Sequence, residues 1–184
     1  SIIFGGFFRF FIKFVPLSSL GIMLVNQRGF SMVFAGFALA LSSFVGIFGA
    51  LSVGKVSKYL SPFAISVSTL VFLSLSLIAL SITGNVVAIL IAVSIFGIAD
   101  GLFGTVQNSY VSIAVPNHLR GTFSGIVAMS RNIGKFLAPI VMGLILATAS
   151  ITTAFAVSGI IAALGLLLMP PLRHFNKQLS QSTL

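Results

Sequence analysis

Cysteine is absent from all 184 residues, which excludes disulfides, thiolate metal sites and cysteine nucleophiles. Acidic side chains are almost absent as well: Asp100 is the one carboxylate, against ten Lys and Arg and two His. One carboxylate and two histidines build neither a hydrolytic triad nor a metal site with supporting ligands. A phosphate-cradling GxxxxGK[ST] loop is missing too, so energy for any work must come from an ion or solute gradient rather than bound ATP. No enzyme activity and no cofactor are expected. Charge of either sign is scarce, with 6% of residues charged where soluble domains carry about 25%.

What fills the chain instead is apolar length. Hydrophobic residues make up 58% and mean hydropathy is +1.20. Six runs follow one another: Ile2–Val25, Met32–Val53, Pro62–Ile82, Val86–Ala114, Thr122–Ala147 and Ala154–Met169. A bilayer core about 30 Å thick needs roughly 20 apolar residues of helix to cross it. No globular fold has enough polar surface to cover such runs back to back, so an all-α integral membrane protein is expected. Its six-helix bundle would occupy residues 1–171, with a polar cytoplasmic tail at 172–184. The net charge of +9 reads as basic loops on one membrane face rather than as a nucleic-acid surface.

Five short breaks separate the runs: Asn26–Ser31, Gly54–Ser61, Thr83–Asn85, Val115–Gly121 and Thr148–Thr153. Alternate breaks share a side. One side holds Lys55, Lys58, Arg120, Arg173 and Lys177, with His118 and His174; the other holds Arg28. Short basic loops stay in the cytoplasm, so both ends are expected inside, as an even number of spans also demands. The two histidines read most simply as solvated loop residues. The natural setting is the cytoplasmic (plasma) membrane.

Local chemistry agrees with the breaks. Pro62 suits the first turn of a helix, Gly84-Asn85 suits a tight turn, and Pro170-Pro171 stops the last run. Pro16 and Pro139 fall inside runs and are expected to kink their helices, for packing or for gating. Gly97, Gly101 and Gly104 lie on or near one face of the fourth run and would let another helix approach closely.

The fifth break reads Val115-Pro116-Asn117-His118-Leu119-Arg120-Gly121, followed by Gly125, Gly134, Ala138-Pro139 and Gly143. This resembles the major facilitator superfamily, whose helices often meet at a cytoplasmic P-x-x-x-R-G turn before a glycine-rich helix. The helix itself is similar to that superfamily's exporter motif, G-x8-G-x3-G-P-x2-G-G. Gly125, Gly134, Pro139 and Gly143 fit, while Ala138 and Met142 stand where the motif has glycine. The break after the second run resembles the family's G-x-x-x-D-[RK]-x-G-x-[RK]-[RK] loop, which is involved in switching between access states. Lys55 matches and Lys58 lies one position from a basic site, but Gly54 holds the acidic position and Ala50 and Ser57 the glycine positions. This loop therefore brings no carboxylate to a gating salt bridge.

The resemblance implies half of a twelve-helix fold: six helices as two inverted three-helix repeats, with solute bound between two such halves near the midplane. Its partners would be the lipid bilayer, the other six-helix half (in the same polypeptide or a second chain), a small solute and protons. The chain opens on Ser1 with a span at once and closes on a polar tail, so it is expected to be a fragment carrying spans seven to twelve. The exporter-like motif, usual in span five, pulls the other way.

Charges inside the spans mark where function should show, because a charge at the centre of a bilayer costs roughly 2.5–3.5 kcal/mol. Asp100 lies roughly 20 Å from the external end of its span. Desolvation favours its neutral form and a nearby cation its charged form, which is the competition a proton-coupling site requires. A structural ion pair with a cation of an adjacent helix is the other reading. Arg9 with Lys13, and Arg131 with Lys135, are cation pairs four residues apart on one helix face. Arg9 and Arg131 are shallow enough to snorkel inward. Lys13 and Lys135 are deeper, Lys135 roughly 20 Å from Arg120, and are expected to face a water-filled path or a carboxylate of the missing half. Asn108 and Gln107 are secondary candidates, for polar contact or for capping the cytoplasmic end of the span.

Two function classes remain. One is secondary active transport, as proton-coupled efflux of an amphiphilic or anionic solute through a cavity lined by Lys13, Lys135, Arg131, Asp100 and Asn108. The other is a non-transporting membrane protein, a truncated remnant or a helical subunit of another assembly.

Overall fold

The computed structural model describes residues 10–14 and 19–164 of the chain. The calls on Arg9, Pro16, Arg173, His174, Lys177 and the 172–184 tail lie outside them. The described residues are helical throughout apart from short connections. In chain order the helices are α1 (residues 10–14 and 19–27), α2 (Met32–Val56), α3 (Pro62–Ile82), α4 (Val86–Ala114), α5 (Arg120–Thr148) and α6 (Ile151–Leu164). Five of these are long and apolar enough to cross a bilayer, α6 being shorter over its described length.

Helix ends follow the cap chemistry of the sequence. Ser31, Ser61 and Asn85 accept hydrogen bonds from the amides of Phe34 (3.2 Å), Ala64 (3.2 Å) and Val87 (2.8 Å), each relieving an orphan donor of a first turn. α1 ends in a π-turn, Met23–Gln27. The Phe30 amide then closes back on the Leu24 carbonyl at 2.9 Å, a residue wider than an ordinary Schellman closure, and Gly29 supplies the left-handed residue at φ +68°.

Two breaks are shorter than the hydropathy pattern suggests. α2 runs on to Val56, so Lys55 sits in its last turn rather than in a loop. A cation there is favoured by the negative end of the helix dipole. Between α5 and α6 only Ala149 and Ser150 intervene. The Ser150 hydroxyl accepts from the Thr153 amide at 3.2 Å, which starts α6 three residues before the apolar run does. α5 continues through Pro139, which brings no N–H to the carbonyl of Lys135.

The tightest packing joins α2 to α4, and backbone meets backbone there. A Cβ on Gly97 would stand 2.1 Å from the Ser42 carbonyl oxygen, and one on Gly101 2.0 Å from that of Gly46. A Cβ on Gly49 would stand 2.4 Å from the carbonyl oxygen of Ile98. Ser42, Gly46 and Ala50 thus face Gly97 and Gly101 as two small-residue stripes of period four, the arrangement that lets helices associate in lipid by close contact. α3 lies between α4 and α6, burying Leu73, Leu77 and Leu80, and α6 meets it at Gly159, whose added Cβ would strike Ile78 at 2.8 Å.

Several hydroxyls on the buried helix faces bond within their own helix, as a medium without water favours. Ser66 donates to the Pro62 carbonyl at 2.9 Å, Thr69 to that of Ile65 at 2.8 Å and Ser76 to that of Phe72 at 2.7 Å. The outer face of α2 presents Val33, Phe37, Phe44, Phe48 and Leu51, all exposed, as a helix against lipid does. α5 buries one stripe only, Val127, Ser130, Gly134, Ala138 and Met142.

In the connection after α1, Arg28 caps α3. Its Nη2 donates to the carbonyls of Leu80 (2.8 Å) and Ser81 (3.1 Å). Desolvation lowers its pKa from the ordinary value, but a guanidinium starts so high that it stays charged. Thr152 donates to Gln27 Oε1 at 3.0 Å, tying α6 to the same corner.

These contacts predict a contrast between two glycines of α4 and α2. Gly101→Val should cost about 2 kcal/mol or more, because the helices must part to admit it. Gly36→Val, where nothing lies within 4 Å of the added Cβ, should cost well under that, about 1 kcal/mol or less. Thermal unfolding of both variants in detergent micelles checks the ranking; equal losses would contradict the crossing described.

Candidate transport site

The close crossing of α2 and α4 leaves a cavity of about 380 Å³ on one side of the contact, completed by α1. Its wall is mixed. Leu20, Leu39, Ile47, Val93 and Phe96 supply apolar surface, and Ser42, Ser43, Thr105 and Asn108 supply polar groups. Lys13 and Asp100 lie in the same wall and form an ion pair, Lys13 Nζ to Asp100 Oδ2 at 2.7 Å. The Asp100 side chain is 12% exposed and that of Lys13 37%, so the carboxylate is sunk in α4 and the ammonium reaches it from the more open side.

Asp100 faces α1 because of the glycines beside it. Gly97 and Gly101 hold α4 against α2 on one face, and Asp100, one residue before Gly101, comes out on the adjoining face. The carboxylate that Lys13 meets therefore belongs to α4 of this chain rather than to a missing half, and the ion pair with a cation of an adjacent helix is the other reading given for Asp100. The helical spacing of Arg9 and Lys13 gave their common face but no rotation of α1 against α4, and that rotation decides the partner.

Of the residues expected to line the cavity, Lys13, Asp100 and Asn108 are in its wall, whereas Arg131 and Lys135 of α5 lie outside that lining and meet α1 and α4 beside it. Arg131 donates through Nη2 to Asn108 Oδ1 of α4, and its guanidinium carbon lies 5.6 Å from the centroid of the Phe10 ring. It thus reaches across to α4 and α1 instead of snorkelling to the inner surface, because Asn108 offers an acceptor within its length. Asn108 serves polar contact here, which leaves the capping alternative unused. Lys135, one turn deeper, places its Nζ 5.0 Å from the Phe10 centroid and 5.8 Å from that of Phe14. Cation–π contacts of this kind contribute about 0.5–2 kcal/mol, more as water is excluded. Gln107 is buried in α4.

The motif residues divide in two. Lys55 and Lys58 are exposed at the C-terminal end of α2, and Arg120 opens α5 with its Nε donating to the Val115 carbonyl at 3.2 Å. Gly134 lies on the buried stripe of α5 with Ala138, whereas Gly121, Gly125 and Gly143 have nothing within 4 Å of an added Cβ. Pro139 is exposed. Gly104 lines the cavity with Gly97 and Gly101. Sequence reasoning missed the hydroxyl side of the cavity, Ser42, Ser43 and Thr105, and the aromatic rings of α1. The signal for the first was present: two adjacent serines in the middle of an apolar run.

Removing one partner of a pair in low dielectric leaves an uncompensated charge. Lys13→Ala should destabilise by about 1–3 kcal/mol, below the cost of a fully buried pair because Lys13 is partly exposed, and adding Asp100→Asn should recover most of it. A double-mutant cycle on thermal unfolding checks this; simple additivity would show that the two groups do not interact.

Residues 1–139, from the start of the chain to Pro139 of α5, match the profile of the Major Facilitator Superfamily. No curated protein matches the chain. The match spans α1 to α4, which line the cavity, and the part of α5 that carries Arg131 and Lys135, and the apolar helices, with no strand among the described residues, are those of half a major facilitator fold. This chain belongs to the Major Facilitator Superfamily, a family of transmembrane transporters of small solutes across the lipid bilayer.

Proposed function

We propose that the chain is the C-terminal six-helix half of a secondary transporter that exports an amphiphilic or anionic solute in exchange for protons. Both ends of the chain lie on the cytoplasmic side in this reading, and the other half completes the transport path. The observation that carries the proposal is the Lys13–Asp100 pair in the wall of a cavity within the membrane. A proton bound on Asp100 neutralises the carboxylate and frees the ammonium of Lys13; loss of the proton restores the pair. Occupancy of that one carboxylate therefore changes both the charge and the contacts of the cavity wall, which is what coupling to a proton gradient needs. The net positive charge of α5, which carries Arg120, Arg131 and Lys135 and no carboxylate, supports an anionic head group on the solute, and the apolar wall of Leu39, Val93 and Phe96 supports an apolar body.

Asp100→Asn keeps the shape and a hydrogen-bonding group but abolishes the proton site. Reconstituted with its other half, this variant should lose proton-coupled flux by tenfold or more, about 1.4 kcal/mol of coupling, while retaining pH-independent solute exchange. A pH-sensitive dye inside the vesicles reads the flux, and wild-type coupling in the variant would refute the role of Asp100.

Orientation is open to a clean test because the chain has no cysteine. Gly84→Cys should react with an impermeant maleimide added outside intact cells, and Lys58→Cys only after the membrane is opened. The reverse pattern would invert the topology.

A further inference from the structure

Lys135 stands apart from the other intramembrane charges. Asp100 is the one carboxylate side chain of the chain and it is engaged by Lys13. Against the Lys135 ammonium, among the described residues, stand ring faces instead: Phe10 at 5.0 Å and Phe14 at 5.8 Å. Arg131, one turn away on the same face of α5, shares the Phe10 ring at 5.6 Å, so a second positive charge adds to the field at this point. The two rings face α5 while Lys13, on the same short stretch of α1, faces α4. α1 thus separates two sites of different character, a neutralised pair on one side and a net positive one on the other.

A ring face is a weak and replaceable partner for an ammonium. An anion offers a charge-assisted hydrogen bond, stronger than the quadrupole attraction and stronger still where water is excluded. We propose that Lys135, seated on Phe10 and Phe14, is an anion-recognition residue. Its ammonium moves from the ring faces to the carboxylate or sulfonate head of an amphiphilic solute, whose apolar body takes the ring of Phe10 as its contact surface. Arg131 remains on Asn108 and strengthens the field without providing the contact. A flexible four-carbon stem carrying a point charge suits such a move better than a planar guanidinium already held by an amide oxygen. The rings keep the charge in place when no solute is bound, which spares the empty site a bare ammonium in a medium of low dielectric.

This inference rests on the transport reading only for the existence of a solute, and it is tested by binding, without flux. The chain is reconstituted in nanodiscs of zwitterionic phosphatidylcholine, so that no anionic lipid competes. Three probes with the same eight-carbon body are titrated by calorimetry against loaded and empty discs: octanoate, octanol and octylammonium. The expected result is saturable octanoate binding beyond that of empty discs, with octanol and octylammonium weaker by about tenfold or more, as loss of one charge-assisted contact implies. Lys135→Gln should bring octanoate down to the level of octanol, and Lys135→Arg should restore it to within about threefold. Lys135→Met gives the same reading if the Gln variant loses its helical circular dichroism. Equal binding of the three probes by the unaltered chain would overturn the proposal, and needs no variant. Undiminished octanoate binding by Lys135→Gln would also overturn it. Wild-type proton coupling in Asp100→Asn would refute the reading on the other side of α1 and leave this result intact, so the two readings fail separately.

Discussion

The contact between α2 and α4 sets the geometry on which the other features depend. Lipid tails are as apolar as leucine, so burying leucines gives two helices in a bilayer little reason to associate. What they gain is close contact, and glycine allows it: Gly97 and Gly101 bring α4 so near to Ser42 and Gly46 that backbone atoms touch. That contact consumes one face of α4 and fixes its rotation. Asp100 then emerges on the adjoining face toward α1, Asn108 two turns on toward α5, and the cavity opens where the two helices diverge. A larger residue at either glycine would turn or shift α4 and carry all three away together.

Low dielectric governs the rest. Every polar group within the membrane-spanning part has to find a partner inside the protein. Ser66, Thr69 and Ser76 of α3 solve this locally, on carbonyls four residues back. Arg28 solves it across a corner, by capping the carbonyls that end α3. The charges between helices use three different solutions in a small space: a carboxylate for Lys13, an amide oxygen and a ring for Arg131, and rings for Lys135. The three partners differ in charge and geometry, and the proposed proton coupling and anion recognition draw on that difference.

Much of the fold was legible along the chain. Runs of apolar residues set the number and approximate limits of the helices, and the breaks ending at Ser31, Ser61 and Asn85 placed three starts, where the structure shows these side chains accepting a first-turn hydrogen bond. The glycine face of α4 was legible as a close-packing face, though not its partner. Limits were misjudged where a helix outlasts its hydrophobicity, as at Lys55, or starts ahead of it, as after Ser150. Of the site, the charged residues stood out because charge in an apolar run is costly. Ser42, Ser43, Thr105 and the phenylalanines of α1 did not, because hydroxyls and rings are ordinary in membrane helices and take on meaning only from what lies opposite.

Composition and periodicity alone determined that the chain is a membrane-embedded bundle of helices and that its interior charges are few enough to matter. They did so because the bilayer imposes a length and a polarity on any segment that crosses it, and both are written residue by residue. Which charge meets which was decided by tertiary structure. Helical spacing places Lys13 and Lys135 on faces of their own helices, but the rotation of α1 between α4 and α5 assigns one of them a carboxylate and the other a pair of rings. That rotation follows from packing summed over all the helices, a quantity that no single stretch of sequence contains.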